Sequence, residues 1–132
     1  RQDVADALQR HFAANPEDAA AVYLFGSVAR GEDTATSDVD VAVLFGSEPP
    51  DGFAGLALPL EGALERQLGR PVQLIVLNRA PVDLVHRVLR DGIVLLDRDP
   101  SARIHFEVRA RNEYFDLIPV LRRYRRLDGR AA

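Results

Sequence analysis

Gly26-Ser27, ten intervening residues, then Asp38-Val39-Asp40: this spacing restricts the chain more than anything else in it. Apolar runs flank it, Val22–Phe25 before and Val41–Phe45 after. The pattern predicts a strand, a phosphate-binding turn, a polar connector over 32–37, and a second strand over 38–45 that opens on two carboxylates. Gly26 and Gly31 enclose Ser-Val-Ala-Arg, which suits a tight turn opening a short helix. Backbone N–H groups there, with the Ser27 hydroxyl, form a cradle for phosphate. In an extended chain alternate side chains share a face, so Asp38 and Asp40 point together while Val39 and Val41 point the other way. Two carboxylates so placed can hold a hard divalent cation such as Mg²⁺, which shares its oxygen ligands with substrate phosphates. Paired aspartates alone are common at strand starts; their combination with Gly26-Ser27, Arg30 and Gly31 carries the metal–phosphate reading. Arg30 is open to two uses, a phosphate contact or a surface ion pair. Ser37 can steady the turn before Asp38 and is given no catalytic role.

Composition narrows what surrounds this site. The 132 residues are expected to form one domain, 1–132, with a real core. A net charge of −3 supplies no global basic field, so direct nucleic-acid binding is not expected. No apolar run approaches the roughly 20 residues of a membrane span. Cysteine is absent, which excludes disulfides and thiolate metal sites. All 17 basic residues are arginine. The lack of lysine removes the P-loop reading, which needs Gly-Lys-Ser/Thr, and makes any cationic phosphate contact a fork-shaped guanidinium one. The chain opens at Arg1 and contains no Met, so an initiator or short leader is expected to have been lost or left out.

The remaining elements read in order. Val4, Leu8 and Phe12 predict an amphipathic helix over 2–14, stopped by Asn15-Pro16, with His11 beside its stripe as a structural or surface histidine. A buried strand over 19–25 leads into the site. After the Pro49–Gly52 loop, residues 53–68 are expected to be helical but divided by Pro59, with Leu60, Leu64 and Leu68 inward. Residues 72–77 predict a third strand. A helix follows whose first turn holds Pro81 and whose buried face is Leu84, Val85, Val88 and Leu89, then a short strand over 93–96. The C-terminal helix is expected over 101–127, kinked at Pro119, with an apolar stripe through Phe106, Ala110, Tyr114 or Phe115, Leu117, Ile118, Leu121 and Tyr124. Its end carries Arg122, Arg123, Arg125 and Arg126, a solvated last turn or a patch for phosphate or a partner. His86 and His105 are read as structural residues on helix faces.

The form GSVARGEDTATSDVDVAV resembles the signature of the DNA polymerase β-type nucleotidyltransferase superfamily, and in particular its minimal nucleotidyltransferases, the MNT proteins. VQLIVLNRAP, VLRDGIVLLDRD and FEVRARNEYFDLIPVLRRYR are similar to that group too, so the resemblance spans almost the whole chain. It implies an α+β fold, a small mixed β-sheet packed against helices. It also implies an ATP·Mg²⁺ site that transfers a nucleoside monophosphate to a hydroxyl and releases pyrophosphate. On that model Gly26 and Ser27 hold the β/γ-phosphates, and Asp38 and Asp40 hold two metal ions at the α-phosphate. Active members add a third carboxylate from the later strand. Here that strand carries Gln73, whose neutral amide coordinates weakly and cannot act as a general base. Asp83, Asp91 and Asp97 read more simply as a helix first turn, a helix end and a strand end.

The family's context implies a cytoplasmic antitoxin in a hetero-oligomer with a HEPN-domain ribonuclease toxin, which it neutralises by attaching AMP to a toxin tyrosine. The Gln73 substitution keeps a second reading open, a catalytically impaired antitoxin acting by binding alone. Transfer to a small molecule such as an aminoglycoside is a third; those enzymes carry an added helical domain. Arg79 to His86 and Arg98 to His105 match the HEPN nuclease pattern R-x4–6-H numerically. Neither match sits in a paired all-helical context, and the chain is not read as a nuclease.

Overall fold

A computed structural model describes residues 1–14 and 18–127, with the Leu127 side chain excepted. The expected Asn15-Pro16 stop falls outside the described residues. Four strands, β1 (Ala19–Phe25), β2 (Val39–Phe45), β3 (Val72–Val76) and β4 (Ile93–Asp97), form one sheet in the order β3-β2-β1-β4. β1 runs antiparallel to both β2 and β4, whereas β2 and β3 are parallel. The sheet is therefore mixed and the fold α+β, as the resemblance implied.

Helices cover both faces, which explains why the two inner strands read as unbroken apolar runs: β1 is buried at every position. On one face Val22, Leu24, Val39, Val41, Val43 and Phe45 meet α1 (Gln2–Ala14) and α3 (Gly52–Leu68) through Leu8, Phe12, Phe53, Leu60 and Leu64. On the other, Ala21, Tyr23, Phe25, Ala42 and Leu44 meet α4 (Val82–Asp91) and α5 (Pro100–Leu127) through Val85, Val88, Phe106 and Ala110. The fully buried leucines contribute about 1.5–3 kcal/mol each. His11 is buried beneath α1, its Nδ1 3.0 Å from Gln67 Oε1 on α3. The His86 ring stacks on Tyr114, centroids 3.5 Å apart, and so joins α4 to α5.

Tyr23 brings one polar group into the second face. Its hydroxyl donates to Glu107 Oε2 at 2.6 Å, and Arg103 Nη1 donates to the same oxygen at 2.9 Å. Burial, then the Glu107 carboxylate, raises the phenol's pKa well above the ordinary tyrosine value, so Tyr23 stays protonated.

Several expected boundaries move. β2 starts at Val39, leaving Asp38 just outside it; Leu77 opens a 3-10 turn (Leu77–Arg79) rather than ending β3; β4 extends to Asp97. Pro59 does not divide α3, which is continuous from Gly52 to Leu68. The proline removes one backbone bond, to the carbonyl of Gly55. Both residues are exposed, so water can take the place of the missing donor. The α5 stripe is buried only at Phe106 and Ala110; Tyr114, Leu117, Ile118 and Leu121 are half-buried, and Phe115 and Tyr124 are 74% and 63% exposed. The reason is length. A helix of 28 residues spans about 42 Å, roughly twice a seven-residue strand, so its distal half has no sheet beneath it.

Leu64→Ala is expected to destabilise the fold by about 2–5 kcal/mol, because the site is fully enclosed and cannot collapse onto solvent. Leu58→Ala, on the same helix but 74% exposed, should change stability by less than about 0.5 kcal/mol. Urea unfolding of both variants checks the contrast; equal losses would contradict the placement of α3.

Candidate functional site

Three strands deliver the site in one row. Phe25, the last residue of β1, pairs with Asp40 on β2, and Asp40 pairs with Gln73 on β3. The chain then leaves β1 at Gly26 and enters α2 (Gly26–Arg30), closed by Gly31 in the left-handed conformation. Gly26 has φ +74°, and a β-carbon there would overlap Asp40 Oδ2 and stand 3.0 Å from Asp40 Cγ. Only a glycine permits both that backbone angle and the carboxylate lying directly against it. Phe25 places no side-chain hydrogen bond on the start of α2, so its leading N–H groups are left without a side-chain cap from that residue.

These residues line a cleft of about 420 Å³. Gly26, Ser27 and Arg30 form one side, Asp40, Gln73 and Ile75 the sheet wall, and Leu84, Arg87 and Asp91 of α4 the other side. The structure thus gathers Gly26, Ser27, Arg30, Asp40 and Gln73 around one cleft. Asp38 stands exposed ahead of β2, outside the cleft wall but near enough to Asp40 for its charge to act there. Arg30 lines the cleft, and it makes the surface ion pair expected as one of its two uses, its Nε donating to Glu32 Oε2 at 3.1 Å. Both partners are well exposed, so the pair is worth at most about 1 kcal/mol and can yield to a phosphate.

Arg87 is the cleft residue the sequence did not single out. Leu84, Arg87 and Asp91 are spaced three and four apart, one face of α4, and only the packing of α4 beside α2 reveals that this face meets the site. Asp91, read from sequence as a helix end, is the last residue of α4 and also lines the cleft. Its carboxylate is engaged by the neighbouring Arg90, Nε to Oδ1 at 3.0 Å and Nη2 to Oδ2 at 2.9 Å. A larger concavity, about 600 Å³, lies along the end of α5 against Pro119 and four arginines. Among the described residues it is lined by a single helix with no carboxylate.

The electrostatics of the cleft fit a divalent cation. Burial, then the negative charge of Asp38, raises the Asp40 pKa above the ordinary carboxylate value, while Arg30 and Arg87 oppose the shift. Two like charges, one partly withdrawn from water, are relieved by a cation between them. Among the described residues no group of three or more His, Asp or Glu side chains is arranged to hold a metal. Mg²⁺, which commonly takes one or two carboxylates and completes its shell with phosphates and water, suits Asp38 and Asp40.

Asp40→Asn should raise the melting temperature at pH 7. The folded state binds the Asp40 proton more tightly than the unfolded chain does, so ionisation above the folded pKa costs stability, and this cost disappears as pH falls through that pKa to below the ordinary carboxylate value. The advantage of the variant must therefore shrink between pH 7 and pH 3.5. Thermal melts at the two pH values check it; a gap that widens on acidification would contradict the assignment.

Comparison with known proteins agrees with this geometry. Residues 7–101 match the family model described as polymerase beta, nucleotidyltransferase. The chain is similar in structure to one in a toxin–antitoxin complex with AMP-PNP, at 26% identity and TM-score 0.74 over 96% of this chain and 98% of that one. It also shares its fold with a chain of the toxin–antitoxin MntA–HepT, at 23% identity, TM-score 0.75, over 99% of this chain and all of the other. A third likeness, at 23% identity and TM-score 0.75 over 98% of both chains, is to a chain in a complex of tri-AMPylated Shewanella oneidensis HEPN toxin with MNT antitoxin. No curated protein matches the chain by sequence search. With the family model spanning 95 of 132 residues and Gly26, Ser27 and Asp40 meeting in one cleft, the chain belongs to the polymerase beta nucleotidyltransferase family.

Proposed function

We propose that this protein is an MNT-type antitoxin that binds ATP with Mg²⁺, associates with a HEPN ribonuclease toxin in the cytoplasm, and transfers AMP to a tyrosine hydroxyl of that toxin. The observation that carries the reading is the row Phe25–Asp40–Gln73 meeting Gly26-Ser27 in a single cleft, where carboxylate and phosphate cradle are in direct contact. The 26% identical chain from a toxin–antitoxin complex with AMP-PNP supports it, since the likeness covers 96% of this chain. Among the described residues no helix is long and apolar enough to cross a membrane.

In this reading the backbone N–H groups at Gly26-Ser27 and the Ser27 hydroxyl hold the terminal phosphates. Arg30 and Arg87, the two cations that act on Asp40, balance the charge of the triphosphate. Asp38 and Asp40 would hold Mg²⁺, which when bound neutralises phosphate charge and orients the attacking oxygen. The hydroxyl oxygen forms a bond to the α-phosphorus, the bond from that phosphorus to the bridging oxygen breaks, and pyrophosphate leaves. The hydroxyl proton passes to solvent water, because the Gln73 amide cannot accept it. Loss of general-base assistance is worth about 10²–10⁴ in rate, so transfer is expected to be slow. That substitution favours one alternative, neutralisation by binding alone.

Incubation with labelled ATP, Mg²⁺ and the HEPN protein encoded beside it separates the two. The proposal predicts a label on a toxin tyrosine, abolished by Asp38→Asn and accelerated about 10²-fold or more by Gln73→Asp. Absence of label with wild type and with Gln73→Asp, together with full neutralisation by the Asp38→Ala/Asp40→Ala double variant, would replace it by the binding-only antitoxin.

A further inference from the structure

Asp38 precedes β2 and stands exposed, so its direction is set by the backbone on either side of it. After it, the Val39 N–H donates to the Pro71 carbonyl at 2.9 Å. Before it, the Ser37 carbonyl accepts from Arg70 Nη2, also at 2.9 Å. Two consecutive residues at the entrance to β3 therefore hold both flanks of one carboxylate. The same Arg70 nitrogen reaches the Thr34 carbonyl at 3.1 Å and Asp33 Oδ2 at 3.2 Å. Within the turn, the Thr34 N–H donates to Ser37 Oγ at 2.8 Å and the Ser37 N–H to the Thr34 carbonyl at 3.1 Å. The turn is thus closed on itself and tied to the sheet through one guanidinium.

We propose that Arg70 is a positioning residue for the nucleotide site: by pinning the 33–37 turn to the start of β3, it fixes where the Asp38 carboxylate stands. The inference rests on the reading of Asp38 as a metal–nucleotide ligand. Arg70 is not placed to touch the ligand itself, since it is absent from the cleft wall and its contacts all lie behind the connector. Its side chain is 21% exposed. The Nε is buried without a hydrogen-bond partner, a desolvation cost that an ordinary stabilising ion pair would avoid. All three acceptors are reached from the one Nη2, whose direction the planar guanidinium fixes; a lysine ammonium on its flexible stem could donate to the same oxygens but would hold the turn less firmly.

The test uses the full chain with Mn²⁺ and AMP-PNP, whose binding is measured calorimetrically below the melting temperature of every variant. Hydrogen exchange of the same samples is followed over residues 33–38. Loss of an outer-shell support costs about 10–100-fold in metal affinity. Arg70→Ala should weaken Mn²⁺·AMP-PNP binding by about that factor and speed exchange of the 33–38 amides, while α1 and α3 keep their protection. Arg70→Lys, which retains the stem and the charge, should fall between Arg70→Ala and wild type and stands in for it should Arg70→Ala not fold. Wild-type affinity in both Arg70 variants, alongside lost binding in Asp38→Asn, would overturn the positioning role alone. Unchanged affinity in Asp38→Asn would remove the nucleotide-site reading and this inference with it.

Discussion

The site depends on one close approach, the Asp40 carboxylate lying against the backbone of Gly26. That contact joins the end of β1 to the start of β2 at the one place where the chain turns into α2. It forces a glycine with positive φ at position 26 and puts the Gly26-Ser27 turn beside a carboxylate rather than across a gap. The two inner strands and the helices on both faces act as the frame that keeps β1 and β2 in register. The contact also accounts for the charge state of the site. Asp40 is partly withdrawn from water beside Asp38, and its raised pKa records a repulsion that a bound cation would relieve.

Much of this frame was legible in the residues because inner strands and amphipathic helices leave strong periodic signals. Val22–Phe25 and Val41–Phe45 read as buried strands for the reason that they are covered twice, and Leu60, Leu64 and Leu68 face inward where the spacing put them. Pro59 misled, since propensity counts a missing N–H as a break, whereas at an exposed helix surface water tolerates it. The distal stripe of α5 misled in a different way: the periodicity is real, but among the described residues it is only half-buried and Phe115 and Tyr124 stay exposed. Within the site, Gly26, Ser27 and Asp40 were findable from local spacing, and Gln73 from the family resemblance. Arg87 and Arg70 were not, because their relevance comes from packing between segments distant in sequence. Arg87 reaches the cleft through the α4–α2 contact, and Arg70 reaches the connector from 33 residues beyond Ser37.

The pairing of Asp40 with Gln73 sets the balance between binding and chemistry. An acid at that point in β3 would add a third negative charge next to two that already repel; the amide removes that charge and with it a possible base. Meanwhile Arg30 and Arg87 give the cleft two cations. On the proposed function, the site would be better suited to holding a triphosphate than to activating a hydroxyl. In α5, Phe115, Val120 and Tyr124 are left exposed on a helix that outruns its own sheet. Such a protein would make most of its function from what it binds, with transfer as a slow consequence of holding nucleotide and acceptor together.

The most direct measurement is a crystal structure of the chain with AMP-PNP and Mn²⁺, with the anomalous signal used to place the metal. The account predicts manganese bound by the Asp38 and Asp40 carboxylates, with the terminal phosphates over Gly26-Ser27 and Arg30. Manganese and phosphates located away from these carboxylates, or phosphates held only by the arginines at the end of α5, would contradict it.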